Sequence, residues 1–241
     1  MTHQAIMLLM EHIQLWMWVH TDIILASKTL SVDETDVKNS HHLENEGLKR
    51  CLNELKDHQV SIHTLATDRH PMVNKTMREQ YRQINHEFDI WHRAKSLRKK
   101  LSAASKKHKD MQQWEKCVVN HFWWCCETCE GDVTQLLERW QSVLRHIVDV
   151  HEWRCATKFF KCAHGEQEPK ALLEAGGDAH KALQSIVMEK KFQKDMKLAT
   201  AFCHTGNLEG FHSMLLKYMP QEVHLQPRRN HCKRTSCSLG Q

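Results

Sequence analysis

A chain of 241 residues with 41% hydrophobic and 26% charged side chains can bury a core, which excludes a wholly disordered protein. Its 8 glycines and 4 prolines are too few to punctuate a many-stranded sandwich or barrel, so helices should dominate. A net charge of +5 permits a nucleic-acid partner without demanding one, and 10 irregularly spaced cysteines exclude a secreted disulfide scaffold.

The chain opens with an apolar, Met- and Trp-rich stretch from Ala5 to Ala26. Glu11, His12, Gln14, His20 and Asp22 interrupt it, so no membrane span is expected. The start also lacks the basic region and small-residue cleavage site of a signal peptide, which points to an intracellular protein with free thiols. From Leu43 to Lys56, the residues Leu48, Cys51, Leu52 and Leu55 recur at helical spacing. VSIHTLATDRH reads as a strand ending at Thr67-Asp68, and Pro71 suits the first turn of a helix running to about Tyr81. INHEFDIWH reads as a second short strand with Phe88 and Ile90 on one face. Helix, strand, helix, strand predicts an α/β fold with parallel strands and functional groups at their carboxyl ends.

Beyond His92 the pattern turns helical. Arg93 to Lys109 is a basic run, Met111 to Cys126 is aromatic, and Val133 to Val148 carries a strong apolar stripe that includes Trp140. The helix over Val133–Val148 should bury that stripe on the helix containing Trp114, Val118 and Phe122. A loop through KCAHGEQEP leads to helical patterns over Lys170–Ala201 and Asn207–Tyr218. The tail from Gln226 has no apolar periodicity and is predicted to be disordered.

Four blocks, in order, carry a resemblance. They are ENEGLKRCLNEL with SIHTLATDRHP, INHEFDIWHRAKSLRKKL, WEKCVVNHFWWCCETCEGD with LLERWQSVLRHIVDVHEW, and FCHTGNLEGFHSMLLKY. Together, over roughly Val32 to Tyr218, they resemble the catalytic region of eukaryotic cut-and-paste DNA-transposon transposases of the DDE type. The resemblance implies an α/β, partial RNase H-like core with a mostly α-helical insertion. Its divisions would be a partial core over 1–92, a helical insertion over 93–204, a catalytic-core helix over 205–220 and a tail over 221–241. It implies DNA as partner and the nucleus as location.

By the same resemblance, TDRH supplies Asp68, DIWH supplies Asp89 and His92, and HTGNLEGFHSM supplies Glu209. Asp68 and Asp89 stand 21 positions apart (89 − 68). DDE chemistry is in-line displacement at phosphorus, with two Mg²⁺ ions about 4 Å apart held by converging carboxylates. Asp68 and Glu209 would be the metal ligands and should converge, while Asp89 and His92 would support the site through hydrogen bonds. The Gly/Asp-rich strand that bears the first carboxylate in such enzymes has no counterpart between Met1 and Ser40. The expectation is therefore an ancestral cleavage and strand-transfer activity that is lost, with Mg²⁺ bound weakly. The rival is a non-enzymatic DNA-binding or protein-interaction module that uses the helical insertion.

Each candidate has a plainer reading. Asp68 can cap the helix after Pro71, and Glu209 can be a first-turn acid favoured by the helix dipole. Asp89 and His92 can be a half-exposed polar pair at a strand end. Cys117, His121 and Cys125 repeat along one helix face near Cys126, Cys129 and the Cys162-x-His164 pair; they are either a structural zinc set or core thiols. The basic run of Arg93, Lys95, Arg98, Lys99, Lys100, Lys106, Lys107 and Lys109 is either a phosphate-binding face or a solvated one.

Overall fold

Helices carry most of the described residues, as the chain's poverty in glycine and proline predicts. The computed structural model describes the backbone of 5–11, 14–19, 23–29, 40–165 and 171–206, single positions at 210, 213, 214 and 217, and side chains from 42 onward. Among the described residues no helix is long and apolar enough to cross a membrane.

The apolar opening forms three strands, β1 (Ala5–Glu11), β2 (Gln14–Val19) and β3 (Ile23–Thr29). They pair as an antiparallel meander, with a register shift between Met17 and Trp18. Helix α1 (Ser40–Asp57) leads to β4 (Thr64–Thr67), α2 (Pro71–Gln80) and β5 (Asn85–Phe88). The sheet order is β3-β2-β1-β4-β5. β4 lies parallel to β1, with Ala5 opposite Thr64 and Met7 opposite Ala66, and parallel to β5, with Thr67 opposite Phe88. The chain is thus mixed α/β, and the two strands anticipated around Thr67 and Phe88 are adjacent and parallel. All four residues of β4 are buried, as expected of a strand covered on both faces.

Leu48, Cys51, Leu52 and Leu55 of α1 pack with Leu65, Val73, Met77 and Ile84 as one core under the sheet. Pro71 opens α2, where its fixed φ suits the helix and its missing N–H is not needed. The strand expected to run through Trp91 ends instead at Phe88. Asp89 turns the chain into α3 (Ile90–Ser105) by accepting the Trp91 N–H at 2.9 Å, so Ile90 is a helix residue, not a strand one.

The remaining helices form a second core around α3. After a 3-10 turn (Lys109–Trp114) come α4 (Glu115–Thr128), α5 (Val133–His146), α6 (Asp178–Val187) and α7 (Lys190–Met196). Asp132 caps α5 by accepting the Gln135 N–H at 3.0 Å, and Gly131 supplies the left-handed φ of +79° just before it. Trp140 of α5 is fully buried against Phe122 of α4 and Phe192 of α7, and its indole N–H donates to the Val187 carbonyl at 3.0 Å. The packing of α5 on α4 is the one the apolar stripe predicts. The pattern over Lys170–Ala201 divides into α6 and α7, and Ala171–Gly177 is not helical; Gly176, at φ +74°, and Gly177 stand before α6 and break the run.

The segment after α7 returns to the sheet. The Phe88 N–H donates to the Leu198 carbonyl, and the Ile90 N–H donates to the Cys203 carbonyl at 3.2 Å. The Glu87 carboxylate accepts the Thr200 N–H at 2.9 Å. The outer edge of β5 is thereby covered, which removes a template for unwanted strand pairing. The expected final helix over Asn207–Tyr218 and the tail from Gln226 fall outside the described residues, apart from isolated positions.

Candidate functional site

Two places gather chemically capable side chains. The first is a cleft of about 500 Å³ at the carboxyl ends of β4 and β5, lined by Asp68, Arg69, His70, Asp89, His92 and Arg93 on one side and Glu189, Lys191 and Phe192 on the other. Parallel strands direct their following loops to this edge, which is where α/β proteins place ligands. Asp68 sits at the turn from β4 to α2, partly exposed, and accepts the His70 N–H at 3.2 Å. That bond closes the turn before α2 but does not cap the helix, whose N-cap is His70 with no side-chain cap hydrogen bond.

Asp89 is different in kind. Its side chain is wholly buried, and its oxygens accept the Trp91 N–H at 2.9 Å, the Thr205 N–H at 3.1 Å, the Thr205 hydroxyl at 2.6 Å and His92 Nδ1 at 2.5 Å. Burial alone pushes this carboxyl up. The hydrogen bonds from His92 and Thr205, with the charge of His92, outweigh burial and hold it below the usual carboxylate range. It is not the half-exposed polar residue of the plainer reading. It ties the start of α3 to the Thr205-Gly206 segment, four positions before Glu209. Glu209 itself lies outside the described residues, so the convergence of Asp68 and Glu209 does too.

The positive charge of the cleft is partly spent inside the protein. Arg93 is buried, ion-paired with Asp195 at 3.4 Å, donating to the Phe192 carbonyl at 2.9 Å and stacked over the Phe192 ring. Lys100 pairs with Glu189. Arg93 therefore belongs to neither reading of the run Arg93–Lys109, and Lys100, still partly exposed, has its charge paired. Lys95, Arg98, Lys99, Lys106, Lys107 and Lys109 are exposed, as are Lys191 and Arg69 at the cleft, although Arg69 Nε also pairs with Asp195 at 3.1 Å.

The second place lies at the far end of α5. His146, His151, Cys162 and His164 each bring a ligand atom within 4.8 Å of the others, a donor set that could hold a metal such as zinc. Of these, only the Cys162-x-His164 pair stands out in the sequence, and its expected partners do not join it. Cys125, Cys126 and Cys129 are core thiols, and burial pushes Cys125 well above its ordinary range and Cys126 beyond it as well. His121 is held under α5, its Nε2 at 2.7 Å from the Arg139 carbonyl, and burial lowers its pKa to about 4. The signal that was available is the spacing His146-x4-His151-x10-Cys162-x-His164, whose first pair spans the helix end rather than a helix face.

No known protein family, curated protein or solved structure matches the chain.

Proposed function

We propose that this chain is a transposase-derived, RNase H-like module that holds DNA at the carboxyl edge of its sheet without cleaving it, in the nucleus. The observation that carries the reading is the sheet. An antiparallel meander continues through β4 and β5 parallel to β1, with Asp68 at the end of β4 and a helical insertion following β5. That order and direction are compatible with an RNase H-like core; the parallel pair of β4 and β5 was expected from the local strand–helix–strand pattern, and the meander was not anticipated.

The described residues do not make a two-Mg²⁺ site. Mg²⁺ needs several oxygen ligands in near-octahedral array. In the cleft both oxygens of Asp89 are taken by protein donors, Glu189 is paired with Lys100, and β1 reads AIMLLME, with Glu11 as its one acid. No cleavage step follows from such a set. What the residues can do is bind. Arg69 and Lys191 flank the cleft, and Lys95, Arg98 and Lys99 extend the positive surface along α3 toward a phosphate backbone.

The test is a supercoiled plasmid incubated with purified chain and Mg²⁺ or Mn²⁺, beside a binding titration with labelled duplex. The expected outcome is binding with no nicking, unchanged by Asp68→Asn. Metal-dependent nicking that Asp68→Asn abolishes would overturn the inactive reading, and absence of DNA binding would remove the DNA reading. Charge reversal separates the rival surfaces. Arg69→Glu with Lys191→Glu should weaken binding if the cleft holds DNA, and Lys106→Glu with Lys107→Glu should weaken it if the helical insertion alone does.

A further inference from the structure

We propose that His146, His151, Cys162 and His164 bind one Zn²⁺ in a closed tetrahedral site that staples the long connection after α5 to the helical body.

The argument begins with that connection. Between α5 and α6 the chain runs from 147 to 177, and its described residues hold no helix or strand beyond one antiparallel bridge between Glu152 and Lys161. Connections of this length without structure of their own are uncommon in compact domains and need something to order them. Part of the order comes from α5. Glu138 accepts the backbone N–H groups of Thr157, Lys158 and Phe159 at 2.7, 2.8 and 2.9 Å. At the open end of the hairpin, the Cys162 N–H donates to the His151 carbonyl at 2.9 Å, which sets those two residues side by side. His146 is the last residue of α5 and reaches them from the helix end, held edge-on by the Trp114 ring.

The four ligand atoms lie within 4.8 Å of one another, and the pairs made by His146 have the spacing of metal ligands. His146 Nδ1 is 3.1 Å from His164 Nε2 and 3.6 Å from Cys162 Sγ. A tetrahedral zinc with its usual bond lengths spaces two nitrogens about 3.3 Å apart, and a nitrogen and a sulfur about 3.6 Å apart. The three imidazole rings stand nearly perpendicular to one another, at 82°, 83° and 84°. The outer faces of two rings are already fixed. His151 Nε2 lies 3.1 Å from the Asp149 carboxylate, and His164 Nδ1 lies 2.7 Å from the Gly165 carbonyl. Each of these nitrogens donates its proton outward, which leaves the other nitrogen of each ring as a lone pair. His151 Nδ1 is buried and has no hydrogen-bond partner.

Acceptors that converge on one point without enough donors are unfavourable unless a cation joins them. Outward donation to a carboxylate and a carbonyl is also how metal-bound histidines are oriented. Three imidazoles and a thiol suit zinc and not Mg²⁺. With all four positions filled by protein there is no place for a reactive water, so the site is structural.

The experiment uses the full chain. Purified after expression in zinc-supplemented medium and desalted, it should carry about one zinc per chain by elemental analysis. Cobalt exchanged into the site should give the strong visible bands of a tetrahedral centre and a thiolate-to-cobalt charge-transfer band. Cys162→Ser should abolish that band, and Cys117→Ser, which leaves the four ligands intact, should keep it. Should Cys162→Ser fail to fold, His164→Ala must shift the visible bands, and chelation of the wild-type chain must remove them. A wild-type chain that takes up neither metal in stoichiometric amount overturns the proposal. So does a charge-transfer band that survives Cys162→Ser.

Discussion

Asp68 and Asp89 look alike in the sequence, each an acid at a strand end, and the structure separates them by what each one holds. Asp89 accepts four hydrogen bonds in a buried setting, so Asp89→Ala should lose a helix cap and strand the buried Thr205 N–H. The expected loss is about 3 kcal/mol in urea unfolding. Asp68→Ala gives up one bond near the surface and should cost less than about 1 kcal/mol. Equal losses would contradict the assignment of Asp89 as the anchor. His121 offers a test by pH. Burial lowers its folded pKa to about 4 from an ordinary 6.5. A depressed histidine contributes stability that is whole above pH 6.5 and is lost as pH falls toward 4, because the unfolded chain takes up the proton first. His121→Gln should therefore flatten the fall in stability between those limits by about one proton, or roughly 1.4 kcal/mol per pH unit. An unchanged slope would mean that His121 titrates normally.

At the scale of elements, the sequence was most legible where a long apolar stripe had one partner. The stripe from Val133 places α5, and its packing on α4 follows from Trp140 facing Phe122. Trp140→Ala should cost about 3–5 kcal/mol, since it leaves a cavity in the core and removes one of the two hydrogen bonds to the Val187 carbonyl; a loss under 1 kcal/mol would show that this face is not core. The short strand β4 was also legible, because its Thr, Leu and Ala residues end at a polar turn; β5, NHEF, was read from Phe88 and the strand–helix–strand order. Their ends were less so. DIWH alternates like a strand, yet Asp89 caps a helix there, and a cap competes with a strand wherever an acid precedes helix formers. The partners of Cys162 and His164 were hidden for another reason. His146 lies on a helix whose apolar stripe dominates its pattern, and only the hairpin formed through the bridge of Glu152 and Lys161 brings His151 to meet it.

For the whole molecule, some basic residues are paired inside the fold and others are left exposed. Arg93 and Lys100 are consumed by Asp195 and Glu189, which lock α3 to α7 and its flank. The exposed positive charge includes Lys95, Arg98 and Lys99 along α3 and Lys191 at the mouth of the cleft. Thr205 is tied to the same edge through Asp89. Such a surface should engage a polynucleotide backbone by charge and shape rather than by base sequence. The most direct measurement is the affinity of the purified chain for a labelled DNA duplex across a series of salt concentrations. With four or so phosphates neutralised, log K should fall linearly with log salt at a slope of about −3 to −4, and Arg69→Glu with Lys191→Glu should make it shallower. Binding that is absent at low salt, or that is indifferent to salt and to those two charges, would contradict the account.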